Sequence, residues 1–431
     1  MKKLALLAAS AFVLFVGGVF FVGCVVSHGG TYFGSVDMSA KATRTDTLPL
    51  KLASGETLEI TLATGDVRIS AEAGGVSEVT ALLTAYGKRP DDAKVRLDAA
   101  RVVVERTAGG ARIHVEPEKQ ELTESGATIT LVPRADLTLR IPAGVKLDVH
   151  VSAGDIQTRG LIDTSRLQSS YGDIAVAEAR GDLTLESSSG SVKLESLSGA
   201  KTFTARSSYG DVSAKNVEAE RVSMHSSSGD VTLEDAKCAR AELDSQYGDL
   251  VLTRISGDIQ AKTSSGSVAA TTIGGKNAKL ESGYGDVELR DFTGAIVATS
   301  SSGSVGLANV QGACEARSGY GEVKIDGVLS RVTASSQSGS VRVTARPGSK
   351  PDAEWSVESG YGDVTLTLPR DIGFELTAKT GYGELDIDVP LMVEAGALKD
   401  KHSIRGKVGD GGQRIALKTS SGDVHVETHA R

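Results

Sequence analysis

Seven tyrosines recur at one place in this chain. Tyr171, Tyr209, Tyr247, Tyr284, Tyr320, Tyr361 and Tyr382 each precede a glycine, and the acids Asp173, Asp211, Asp249, Asp286, Glu322, Asp363 and Glu384 come just after it. A row of rings can stack on sugar faces or on a partner, and Tyr171 through Tyr361 are the candidate binding residues. The competing reading has each ring closing a corner of the core, large alternating with small, because Ser189, Ser228, Ser265, Ser302 and Ser338 stand between them. Most intervening units also carry serine in the acid's place, at Ser191, Ser267, Ser304 and Ser340. That alternation holds like charges roughly 10 Å rather than roughly 5 Å apart and reads as repulsion avoided. One place breaks it, where Asp211, Asp230 and Asp249 run on consecutive units. Three stacked carboxylates offer the oxygen donors that calcium takes, against the plainer reading of turn aspartates bonding their own backbone.

Other reactive types are sparse. His425, Glu427 and His429 share a strand face at about 6.6 Å intervals, which suits either a transition metal or a fraying terminus. Cys314 falls in an apolar column and reads as a buried core thiol. Cys238 lies four units away, roughly 19 Å in a straight stack, beyond disulfide reach. No nucleophile elbow, phosphate loop, paired-cysteine zinc site or helical His-Glu-x-x-His occurs, so neither an enzyme nor a cofactor is expected. The nearest enzymatic rival is a β-helix polysaccharide lyase, but the short units leave no loops to wall a cleft.

What positions these residues is a repeat. A glycine recurs from Gly154 through Gly172, Gly190, Gly210 and onward to Gly339 at intervals of 18 to 20 residues, and continues at Gly362, Gly383 and Gly422. Gly65 heads a similar segment earlier. Two residues after the glycine every unit is aliphatic, as at Val212, Val231, Leu250 and Val268. Three before it every unit carries a hydroxyl, as at Ser207, Ser226, Ser245 and Thr263. The period of two on both sides predicts two short strands per unit with apolar residues pointing one way, joined at corners where glycine accepts a positive φ. A unit burying about four aliphatic side chains gains roughly 1.5 to 3 kcal/mol from each, less than its ordering entropy of about 1.5 kcal/mol per residue. It must stack to fold. The expected fold is therefore all-β, a single-stranded parallel β-solenoid of about fourteen coils, right-handed because crossovers nearly always are.

The expected organisation is a signal peptide or membrane anchor over 1–27, a linker over 28–45, and a β-rich irregular start and cap of the solenoid over 46–149. Solenoid repeats occupy 150–389, and an insertion and the last coil occupy 390–431. A short helix is predicted over Asp91 to Ala100. Lys2 and Lys3 precede an apolar run from Leu4 to Val26, long enough to span a bilayer as a helix. Within it, Phe21-Val22-Gly23-Cys24 resembles a lipoprotein signal, which makes Cys24 the lipidation candidate beside an uncleaved anchor; either exports the remainder of the chain.

Composition agrees. The 431 residues hold 50 Gly, about twelve per cent where about seven is usual, with 4% aromatic and 40% hydrophobic residues. That is too apolar for a disordered chain. The net charge of −8 gives nucleic acid no basic patch to bind, and three cysteines make no disulfide framework.

The run Leu137 to Gly160, the Ser-Gly-Asp units, and the closing Gly-Lys-Val-Gly-Asp-Gly-Gly with its final Ser-Ser-Gly-Asp-Val resemble a family of bacterial envelope proteins labelled adhesins. The resemblance spans the chain from about residue 45 and implies a β-solenoid. The expected protein is exported, membrane-anchored and structural or adhesive, presenting repetitive faces to glycan, peptidoglycan or another envelope protein. An accessory domain of an envelope sensing system is the alternative, and the lyase a further one.

Overall fold

The computed structural model describes residues 12–16, 19–26, 30–74, 77–124, 127–393 and 401–429. About two thirds of the chain is strand, wound as parallel coils into a β-solenoid of about 12 turns rather than fourteen. It forms two compact units, the first running to Ala175 and the second starting at Val176.

In the second unit the aliphatic residue two beyond each glycine forms one hydrogen-bonded column. Val192, Val212, Val231, Leu250, Val268, Val287, Val305, Val323 and Val341 face each other coil upon coil. Every one of them is buried, which is what makes a pattern of period two hold its register. The other inward strand carries Ile296, Cys314 and Val332 in register, so Cys314 sits in the core and burial pushes its thiol up to about 12. Cys238 is half-buried, its thiol is raised to about 11 by the same cause, and both cysteines are free.

The end of this unit departs from sequence order. Strands Arg414–Thr419 and Val424–Thr428 do not form the outermost coil. They lie between the coil of Trp355–Ser359 and Val364–Leu368 and the coil of Phe374–Lys379 and Leu385–Ile387, parallel to both. The chain passes outward first, then returns to fill the gap. Beyond Phe374–Lys379 the ladder turns antiparallel, through Ser403–Val408 and then Leu391–Val393.

The first unit is threaded in the same manner. The coil of Thr57–Thr64 and Val67–Glu72 pairs on one side with Lys146–Ala153 and Ile156–Ser169. On its other side stand later strands, Gly110–Glu116 and Arg134–Pro142. Antiparallel strands Glu78–Gly87, Ala40–Pro49 and Arg101–Thr107 lie outside those. A helix, Pro90–Ala99, begins at proline, whose missing N–H costs nothing there, and buries Ala93 and Leu97. At its other end the Arg44 guanidinium donates to Leu97 O at 3.1 Å and Ala100 O at 2.8 Å, placing a cation against the negative helix terminus.

Within its described residues the amino-terminal apolar run is strand rather than helix. Phe12–Val16, Val19–Val26 and Gly30–Asp37 form a three-stranded antiparallel sheet. Its Val and Phe content favours strand, and among the described residues no helix is long and apolar enough to cross a membrane. Lys2 and Lys3 lie outside the described residues, and Cys24 falls in the strand Val19–Val26 without a described side chain.

Candidate functional site

The corner at the turn glycine is built from three stacked columns. The first is the hydroxyl three residues before it. Ser245 Oγ accepts the amide of Gly248 at 2.9 Å and donates to the carbonyl of Gly229, one coil away, at 3.1 Å. Ser226, Thr263, Ser282, Ser300, Ser318 and Ser336 repeat both bonds, and all are buried. A hydroxyl is the smallest group that accepts and donates at once, so alanine cannot stand in.

The second column is the glycine itself. A Cβ at Gly248 would collide with the carbonyl of Gly229, and Gly266 and Gly285 meet their predecessors alike. Gly154 and Gly65 do have positive φ, at 153° and 129°, but Gly210, Gly229 and Gly248 do not. Through the repeats the glycine serves close backbone approach, not a left-handed turn. The left-handed residues occupy the opposite corner, at Asn216, Asp235, Arg254, Thr272, Asp291 and Asn309, with φ from 49° to 58°.

The third column is the acid. Asp211 Oδ1 accepts the amide of Asp230 at 2.9 Å, Asp230 Oδ1 that of Asp249 at 2.8 Å, and Asp249 Oδ1 that of Ser267 at 2.7 Å. Ser267 and Ser340 do the same more weakly for Asp286 and Asp363, at 3.3 and 3.2 Å. Asp211, Asp230 and Asp249 thus link coil to coil, and among the described residues no group of three or more His, Cys, Asp or Glu is placed to hold a metal ion. Acids also stack at Asp363, Asp423 and Glu384, and in the first unit at Asp66, Asp155 and Asp173. Repulsion between neighbouring carboxylates is therefore not what sets the pattern, because the amide between them offsets it. The sequence reading missed a second Gly-Asp corner: Asp258 Oδ1 accepts the amides of Lys276 and Asn277 at 2.8 and 3.0 Å. The Asn277 side chain and those amides hold its carboxyl below the usual range. The doublets Gly181-Asp182 and Gly257-Asp258 were the available signal.

On this scaffold the tyrosines stand outward. Tyr209, Tyr247, Tyr284, Tyr320 and Tyr361 are 67 to 72% exposed, Tyr382 is 88% exposed, and in the first unit Tyr171 is 74% exposed. They do not close the core; the buried hydroxyl two residues earlier already fills that corner. Along the stacked glycines, the second unit presents Tyr320, Ser338, Tyr361, Ser421 and Tyr382 in spatial order. The returning coil puts Ser421 between two tyrosines that are successive in sequence, so alternation is unbroken and rings recur about 9.6 Å apart. The result is a ridge of exposed rings flanked by exposed carboxylates.

The other candidates disperse. His425 Nδ1 faces Asp386 Oδ2 at 3.4 Å, Glu427 accepts from Thr367 Oγ1 at 2.9 Å, and His429 Nε2 meets the Ala345 carbonyl at 2.8 Å. Each has its own partner, so the three do not converge on one ion. A shallow open recess of about 560 Å³ on one strand face is lined by Arg206, His225, Asp244 and Lys262 among others, with His225 Nδ1 2.9 Å from Asp244 Oδ1.

The chain belongs to the Toastrack DUF4097 family, whose signature matches residues 55–290 and 256–427. No curated protein matches it. Among solved structures it is similar to a Bacteroides fragilis protein described as an adhesin, at 15% identity and TM-score 0.28, covering 64% of this chain and 97% of that one. A Clostridium sporogenes protein described as a cell adhesion protein matches at 8% identity and TM-score 0.17, covering 90% and 100%. One from Parabacteroides distasonis described as a lipid binding protein matches at 13% and 0.32, covering 63% and 96%.

Proposed function

We propose that this Toastrack protein is an exported, membrane-tethered, non-enzymatic solenoid of the bacterial cell envelope, and that its tyrosine ridge is an adhesive surface for glycan, peptidoglycan or another envelope protein. The observation that carries the reading is the exposure of every repeat tyrosine, 67 to 88%. Large rings are seldom left in water at one regular position unless a partner covers them. Serine holds the same place on alternate coils, so the fold does not need the ring there. The tether rests on the basic start, the apolar run and Cys24.

Cells carrying Tyr209→Ser, Tyr247→Ser, Tyr284→Ser and Tyr320→Ser together should attach to surfaces several-fold less while holding the protein at its normal level. Cys24→Ala should abolish incorporation of a fatty-acid label. Undiminished attachment with altered envelope gene expression would replace adhesion by sensing; a label retained on Cys24→Ala would remove the lipid anchor.

A further inference from the structure

The ridge has a sign as well as a shape. In the second unit the four residues from two before the turn glycine to one after it, coil after coil from 208–211 to 420–423 and 381–384, include eight acids and neither Lys nor Arg. Of these acids all but Asp423 are exposed. Among the described residues, only Glu322 of the eight is met by a cation, Arg342 at 3.2 Å. Donating an amide to a carboxylate does not remove its charge, so each ring stands beside a fixed negative charge at every two-coil step. Such a surface repels uronates, polyphosphates and nucleic acid, and favours a ligand whose own charges are positive.

Resting on the reading of the ridge as an adhesive surface, we infer that its ligand is a linear β-1,4-linked hexosamine polymer carrying free amino groups. Successive sugars in such a chain are turned over, so one ring face and one amine return at every second sugar, an interval of the same order as the two-coil step. The apolar sugar face lies on the tyrosine, and the ammonium group reaches the carboxylate two residues on, with the ring face adding attraction for the cation. Serine on the intervening coil gives room and hydroxyl contacts to the sugar between. Several weak steps in register make one strong attachment.

The test uses the purified full chain with four probes: β-1,4-glucosamine oligomers, their N-acetylated counterparts, polygalacturonate and polylysine. The expected result is binding to the amine oligomers that strengthens with chain length and weakens with salt, at least tenfold weaker binding to the acetylated oligomers, and none to polygalacturonate. Tyr247→Ser with Tyr284→Ser and Tyr320→Ser should cost at least tenfold with an unchanged melting temperature. Asp249→Ser with Asp286→Ser should flatten the salt dependence, serine at that position being native to alternate coils. Equal binding of the acetylated oligomers, lost in the tyrosine variant, overturns the amine ligand but leaves the adhesive ridge standing. Polylysine binding as well as the amine oligomers overturns the polysaccharide. No binding to any probe overturns the inference, and the cell-attachment result then decides the ridge separately.

Discussion

At Ser245 one oxygen joins two parts of the structure: it accepts the amide of its own turn and donates to the neighbouring coil, with almost no exposure to water. Replacing it by alanine leaves the Gly248 amide and the Gly229 carbonyl without their partner in a place water does not reach. Ser245→Ala is expected to cost about 1 to 3 kcal/mol, read as a lower denaturant midpoint, whereas Ser245→Thr should be close to neutral because Thr263 serves in the same column. The hydroxyl's invariance across units was visible in the sequence, but its double bond was not, since one bond goes to a residue sixteen positions away. Which of the two readings of the tyrosines holds was not legible for a related reason. Alternation of large and small suits a packed interior and a decorated exterior equally, and a residue type does not say on which side of a corner it falls.

The elements of this fold are the coil's two corners, and they make opposite demands. At the turn glycine the backbones of successive coils approach too closely for a side chain, so Gly248→Ala is expected to cost at least about 2 kcal/mol, since the carbonyl it meets belongs to a fixed ladder. Gly109→Ala, with nothing near and no left-handed φ, should leave the melting temperature unchanged. At the opposite corner the demand is conformational, and Thr272 holds φ 58° with a β-branched side chain that disfavours it. Thr272→Asn, matching Asn216 and Asn309 in the same column, should stabilise by about 1 kcal/mol. A melting temperature lowered by that change would show that the threonine makes a contact worth more than the strain. The period, the strands and the inward columns were legible because alternation with a fixed repeat has few other solutions. The glycine's role was not, because a turn and a close approach select the same residue.

At the scale of the whole molecule the consequential feature is the order in which the chain fills each unit. In both units a later segment comes back to pair with strands that the chain had already laid down, and the pairing beyond it is antiparallel. Parallel stacking that simply stopped would leave a row of unpaired amides and carbonyls, an open edge that recruits other strands. Local pattern cannot reveal this threading, since a coil has the same period wherever it sits. One trace was present: Tyr361 and Tyr382 are successive without an intervening serine unit, and Ser421 supplies it. The threading makes a prediction that an in-order solenoid does not share. Ending the chain after Val393 would, in an in-order stack, remove the outermost coil and leave Phe374–Ile387 still paired with the coil of Trp355–Leu368 before it. Here it removes Arg414–Thr419 and Val424–Thr428 from between two coils and Ser403–Val408 from the other side, so Phe374–Lys379 loses both its partners and Leu385–Ile387 its parallel one. Hydrogen exchange on the truncated protein should show the amides of 374–387 unprotected, although that segment is still present, with protection in 305–345 retained. Slow exchange across 374–387 in that protein would mean that the returning coil does not lie where the structure puts it.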